Sequence, residues 1–208
     1  MRSIRLAFIL PLLPLFCSSE PTIIQAAEKK PFNVRDLVQL ERASSPVLSP
    51  DGRSVVFVLR TIDMEANKGR TDLWMMSTDG KNMRRLTTHE ANDWNPRWMG
   101  PKTIGFLSTR SGSSQIHALE IDGGEARQLT SLPIDIETFQ STPDGSLIVF
   151  SAAVYPECKT IECTVEKDKK IKESKATGRV YDKLFFRHWD TWKDGKRNHL
   201  FALRTTGG

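Results

Sequence analysis

Short apolar runs separated by polar turn residues return along the chain at a nearly fixed spacing. Val55-Val56-Phe57-Val58 follows Ser49-Pro50-Asp51-Gly52-Arg53, and Leu147-Ile148-Val149-Phe150 follows Thr142-Pro143-Asp144-Gly145-Ser146. Thr71-Asp72-Leu73-Trp74-Met75-Met76 runs to Thr78-Asp79-Gly80 and closes on Arg85-Leu86-Thr87. Ser114-Gln115-Ile116-His117-Ala118-Leu119 does the same through Ile121-Asp122-Gly123-Gly124 to Gln128-Leu129-Thr130, 43 residues later. A third copy resumes at Asn198-His199-Leu200-Phe201-Ala202-Leu203 and turns at Thr205-Thr206-Gly207-Gly208. A repeat of this length, with Asp-Gly and Gly-Gly supplying the positive φ of tight hairpins, is the pattern of a four-stranded propeller blade.

The pattern predicts strands near 45–49, 54–60, 71–77 and 83–87 in one blade and near 95–99, 103–108, 114–121 and 125–130 in the next. In a third blade, strands at 147–152 and 199–203 are separated by an insertion at about 154–196. The fold class is therefore all-β: an incomplete β-propeller of about two and a half blades over residues 45–208. So few blades do not close a ring, so the chain is expected to be a fragment or truncated product. Asp51, Asp79, Asp122 and Asp144 fall in turns and read as turn formers rather than catalytic carboxylates. Trp74, Trp98, Phe57, Phe106 and Phe150 stand where blades pack and are expected in the core.

Two further segments precede the repeat. Residues 1–27 read as a signal peptide: Arg2 and Arg5 supply the positive start, and Leu6 to Phe16 is apolar but too short and proline-broken to span a bilayer. Cys17 follows the bulky Phe16, which argues against a lipid anchor there. Residues 28–44 form a lead-in with a short helix capped by Asn33, with Asp36 in its first turn. Export to a periplasm or the outside follows, with no membrane span once the signal is removed.

Charge narrows the function classes. The net charge of +5 comes from 30 basic and 25 acidic residues that are scattered, which excludes a nucleic-acid footprint. The run Glu166 to Glu173 mixes both signs and reads as a solvated surface, helical or disordered. In an oxidising compartment Cys158 and Cys163, five residues apart, are the candidates for a small disulfide loop, with free thiols or a metal pair as alternatives. A metal is disfavoured because no nearby Cys or His completes four ligands, and no cofactor is expected.

The insertion ends in Arg187-His188-Trp189-Asp190-Thr191-Trp192. Arg187, His188, Trp189 and Asp190 are candidate substrate-binding residues, since charge beside flat apolar rings suits a peptide terminus or an aromatic ligand. The alternative is that Trp189 and Trp192 anchor the insertion while Arg187 and Asp190 pair with one another.

Taken with the helix, the blades and the Cys158/Cys163 insertion, this run resembles the N-terminal propeller of secreted bacterial serine peptidases of the prolyl oligopeptidase family, in the dipeptidyl peptidase and acylaminoacyl peptidase branch. The resemblance implies a propeller that gates a C-terminal α/β-hydrolase domain, where Ser, Asp and His release short peptides from oligopeptide N-termini. Its partners would be peptide substrates, met through that missing domain. The Gly-x-Ser-x-Gly elbow such chemistry needs is not in this sequence, so no catalytic residue is assigned and the chain alone is expected to be inactive. A TolB-like periplasmic propeller for protein interaction, without catalysis, is the alternative, although the long insertion is not expected there.

Overall fold

The computed structural model describes residues 31–176, 178, 187–188, 191–192 and 194–205. The chain divides into Met1–Asn33 and Val34–Gly208, and the blades lie in the second unit. After the helix α1 (Val34–Gln39), strands β1 (Arg42–Leu48), β2 (Ser54–Asp63), β3 (Lys68–Ser77) and β4 (Arg84–Arg85) form one antiparallel sheet in that order. Strands β5 (Asp93–Trp98), β6 (Thr103–Ser108), β7 (Gln115–Glu120) and β8 (Arg127–Gln128) form the second. In the third, β10 (Leu147–Val154) lies between β9 (Thr138–Ser141) and β13 (Arg197–Arg204). The first strands of successive blades adjoin, β1 to β5 and β5 to β9. These inner strands mark the propeller axis, and the described blades do not close a ring around it.

The recurring sequence motifs are explained by hydrogen bonds that two of the three blades share in each case. In the turn between the first two strands, Ser49 Oγ accepts from Ser54 N at 2.9 Å and donates to Asp51 Oδ1 at 2.6 Å, while Arg53 N donates to the same carboxylate at 3.1 Å. Thr142, Leu147, Asp144 and Ser146 repeat that arrangement. The third strand is closed by the Leu-Thr pair. Leu73 N donates to Thr87 Oγ1 at 3.0 Å and Leu86 N to Leu73 O at 2.7 Å; Ile116 N donates to Thr130 Oγ1 at 2.9 Å and Leu129 N to Ile116 O at 2.8 Å. A hydroxyl at this position therefore satisfies a buried strand N–H that no fourth-strand carbonyl reaches.

Two apolar seams join the blades. Val56, Val58 and Leu73 of the first meet Ile104, Phe106 and Leu119 of the second. Leu107 and Ile116 meet Ile136, Phe139, Ile148 and Phe150 of the third. In β6, Ile104 and Phe106 point to one neighbour and Leu107 to the other, which is why its apolar run is continuous rather than alternating. The tryptophans expected in the core are only half-buried. Trp98 packs on the first seam with Nε1 donating to Val47 O at 3.4 Å, whereas Trp74 follows Leu73 and so takes the opposite face of β3.

Strand bounds differ from the sequence expectation at three places. β1 starts at Arg42 because its pairing with β2 continues past a bulge between Ser44 and Val47, where Ser45 takes φ 51. β4 and β8 hold two residues each, since the chain leaves the ladder to present Leu86-Thr87 and Leu129-Thr130 to the third strand. The hairpin of β2 and β3 is longer, ten residues a strand against six in β6 and β7. The apolar residues of α1 also stay largely in solvent, Val34 at 73% exposure, because a six-residue helix buries little.

Replacing Thr87 or Thr130 by Val keeps the shape but orphans a buried strand N–H, which is expected to cost about 1–3 kcal/mol in chemical denaturation, with Ser restoring most of it. The Asp144 carboxyl is held down to about 2, first by the Thr142 hydroxyl and then by the Ser146 backbone N–H and hydroxyl. Its contribution to the turn is complete above pH 3.8 and is lost as pH falls through about 2. An NMR titration of the Thr142→Ala variant should show this pKa move up toward 3.8.

Candidate functional site

The antiparallel blades give the propeller two unlike rims. On one lie the tight Asp-Gly turns, tied together by Thr78 N to Arg53 O, Ile121 N to Lys102 O and Thr205 N to Ser146 O. On the other lie the connections from second to third strand and those that lead into the next blade. There the β2–β3 hairpin extends outward, and the segment between Val154 and Arg197 leaves the sheet and rejoins it. Elaboration is confined to this second rim, which makes it the candidate site.

The insertion is built on its first residues. Cys158 and Cys163 are joined by a disulfide, and Thr160 between them caps the helix α2 (Ile161–Glu173) by accepting from Cys163 N at 3.3 Å. Tyr155, buried at the end of β10, pins the helix down. Its N–H donates to the buried Thr164 Oγ1 at 3.3 Å, and its hydroxyl donates to Asp168 at 3.0 Å. Lys196, one residue before β13, bonds Asp168 at 2.8 Å, so both ends of the insertion hold one carboxylate. Lys167 pairs with Glu157 and lies 4.0 Å over the Tyr155 ring. Burial first, and then the Asp168 carboxylate, push the Tyr155 phenol up to about 12. It stays neutral across the physiological range and acts as a pin rather than as a nucleophile.

The predicted cluster falls at the far end of this segment. Arg187 and His188 form β11 (Arg187–His188), paired with β12 (Thr191–Trp192) so that Arg187 faces Trp192 and His188 faces Thr191 in the ladder. Trp189 and Asp190 lie outside the described residues, as does the signal region 1–27. His199 pairs with Ala152 within the third blade. Among the described residues no group of three or more His, Cys, Asp or Glu is arranged to hold a metal ion. Among them, too, no helix is long and apolar enough to cross a membrane.

Sequence reasoning missed two features. A cleft of about 740 Å3 opens beneath the β2–β3 extension, lined by Asp63, Lys68, Arg70, Glu90, Asn92 and Thr109. Nearby, the fully buried Asp93 accepts from Arg110 Nη2 at 2.8 and 3.1 Å, and Arg110 Nε donates to Ser108 Oγ at 2.9 Å. In the same blade, burial lowers the His117 pKa, and its Nδ1 donates to Gln115 O at 3.2 Å. With both oxygens of Asp93 committed to Arg110 and His117 bonded to a carbonyl, these groups brace the blade and do not form a relay. The length of the β2–β3 run was the only signal for the cleft; no local pattern announces that Asp93 pairs with Arg110.

The blades, with an insertion carried on one rim, define a β-propeller domain. The family model for PD40, the TolB beta propeller domain, matches residues 34–176. The chain belongs to that family. It is 32% identical over 169 residues to dipeptidyl-peptidase 5 of Porphyromonas gingivalis, a match covering 81% of this chain and 24% of that protein. It is 41% identical over 64 residues to the Tol-Pal system protein TolB of Anaeromyxobacter dehalogenans, covering 31% of this chain and 13% of that one. Among solved structures it resembles the acylaminoacyl peptidase of Pyrococcus horikoshii with a TM-score of 0.57 at 15% identity, covering 82% of this chain and 24% of the other. The last likeness concerns the fold alone. The chain spans about a quarter of the length of the P. gingivalis relative.

Tyr155→Phe removes the bond to Asp168 and is expected to weaken docking of α2 by about 0.5–1.5 kcal/mol. Because the phenol is raised, the contribution is complete below pH 10 and is lost as pH rises through about 12. Hydrogen exchange should show α2 losing protection in the variant while β2, β6 and β10 keep theirs.

Proposed function

We propose that the chain is the substrate-admitting propeller of an exported serine exopeptidase that releases short peptides from oligopeptide N-termini, with the hydrolase domain supplied outside these residues. One observation carries the reading. A match of 169 residues within a chain of 208 necessarily runs through both complete blades and into α2, so the likeness to dipeptidyl-peptidase 5 includes the start of the insertion and is not confined to generic blade motifs. The insertion is held rigidly at its base by Tyr155, Asp168 and Lys196, as a cap beside an entrance must be. Its far end carries Arg187, His188, Trp189 and Asp190, which serve as contacts for a peptide terminus.

A TolB-like interaction propeller is the second reading, favoured by the higher identity of the TolB match. That match spans 64 residues, about one and a half repeats, and a stretch of this length is accounted for by the shared turn and closure motifs.

The test uses the intact gene product, incubated with oligopeptides bearing free or acetylated N-termini and, separately, with a fluorophosphonate that labels activated serines. Release of short N-terminal peptides from free N-termini together with a labelled serine supports the proposal. Neither cleavage nor labelling, with retention of a periplasmic protein partner, favours the interaction propeller.

A further inference from the structure

The inner strands of the second and third blades are stitched through equivalent positions. Asn95 Nδ2 donates to Thr138 Oγ1 at 3.1 Å, and Arg97 Nε donates to Gln140 Oε1 at 3.0 Å. In each pair the partners stand 43 residues apart, so the repeat itself sets them side by side. Asn95 takes φ 53 in the bulge that shifts register between Trp94 and Arg97. A bulge of this kind re-aims the side chain that follows it. The Arg97 guanidinium is also gripped from behind, with Nη1 donating to Pro96 O at 2.7 Å.

Four arginines among the described residues are partly withdrawn from solvent: Arg70, Arg85, Arg97 and Arg110. Arg70 and Arg85 share the Asp72 carboxylate, and Arg110 takes Asp93. Arg97 has no carboxylate partner among the described residues. Its two acceptors are neutral, and burial lowers its pKa. Desolvating a guanidinium without a counter-charge is costly, and with Nε on Gln140 and Nη1 on Pro96 O it is Nη2, between them, that keeps its N–H groups for a carboxylate. It stands on β5, which adjoins β1 and β9, and in a closed propeller such inner strands line the central channel.

We infer that Arg97, clamped between β5 and β9 at the axis, binds the carboxylate of a peptide that carries an acidic side chain or a free C-terminus. The inference deepens the proposed function and rests on its reading that peptides pass this propeller; it adds a charge preference that nothing in the blade motifs requires. Gln140 and Pro96 act as positioning groups that hold the fork open toward the channel.

The experiment measures fluorescence anisotropy of three labelled pentapeptides with the intact gene product at low salt. One has an internal Glu and an amidated end, one has Gln and an amidated end, and one has Gln and a free C-terminus. At least one carboxylate peptide should bind about tenfold or more tightly than the neutral one, and Arg97→Gln should abolish that difference. A preference for the first assigns the side chain as the source, and for the third the terminus. Thr138→Val weakens the neighbouring stitch without touching the cation, and should keep the preference even where melting falls. Equal binding of all three peptides, persistence of the preference in Arg97→Gln, or its loss in Thr138→Val would overturn the inference. Peptide release scored in parallel separates the two ideas. Cleavage without charge preference sinks this site alone, whereas charge preference without cleavage sinks the peptidase reading alone.

Discussion

The structure depends on the two apolar seams between its blades. Each sheet is too thin to bury its own residues, so Val56, Val58 and Leu73 are dry only because Ile104, Phe106 and Leu119 cover them, and the next seam repeats the arrangement. Repeat folds of this kind are stabilised by nearest neighbours, and each blade is as secure as its two faces. Apolar area removed from water stabilises by about 25 cal/mol per Å2. Loss of one seam would therefore cost more than any single hydrogen bond in a turn. Among the described residues nothing covers the far face of the third blade, where Leu200 is 77% exposed.

Polar closures let the seams form in register. The hydroxyls of Ser49 and Thr142 set the first turn of their blades, and those of Thr87 and Thr130 receive the strand N–H groups that short outer strands leave over. Because these closures use few residues, one rim stays minimal. The other is free to carry the extended β2–β3 hairpin and the insertion pinned by Tyr155. Function is read from this asymmetry, since blades alone serve many unrelated proteins.

Much of the fold was legible in the sequence because its determinants are local. Asp-Gly turns need positive φ, and Gly52, Gly80, Gly123 and Gly145 all adopt it. The Leu-Thr spacing encodes a strand closure. What could not be read was non-local: that Tyr155 and Lys196 share Asp168, that Asp93 takes Arg110, and that Arg97 sits beside Gln140. β4 is shorter than its sequence suggests, because an apolar Leu86 beside a strand looks like more strand although its N–H serves a closure. Of the predicted substrate cluster, Arg187 and His188 stand in a two-residue strand, whereas Trp189 and Asp190 are outside the described residues.

If these blades serve an exopeptidase, as proposed, a hydrolase domain is encoded with them. Reading the coding DNA beyond the codon for Gly208 tests that requirement most directly. An in-frame continuation through further blades to a Gly-x-Ser-x-Gly elbow, followed by Asp and His, is the predicted result. Blades that complete a ring and end without such a domain would contradict the account and leave an interaction propeller in its place.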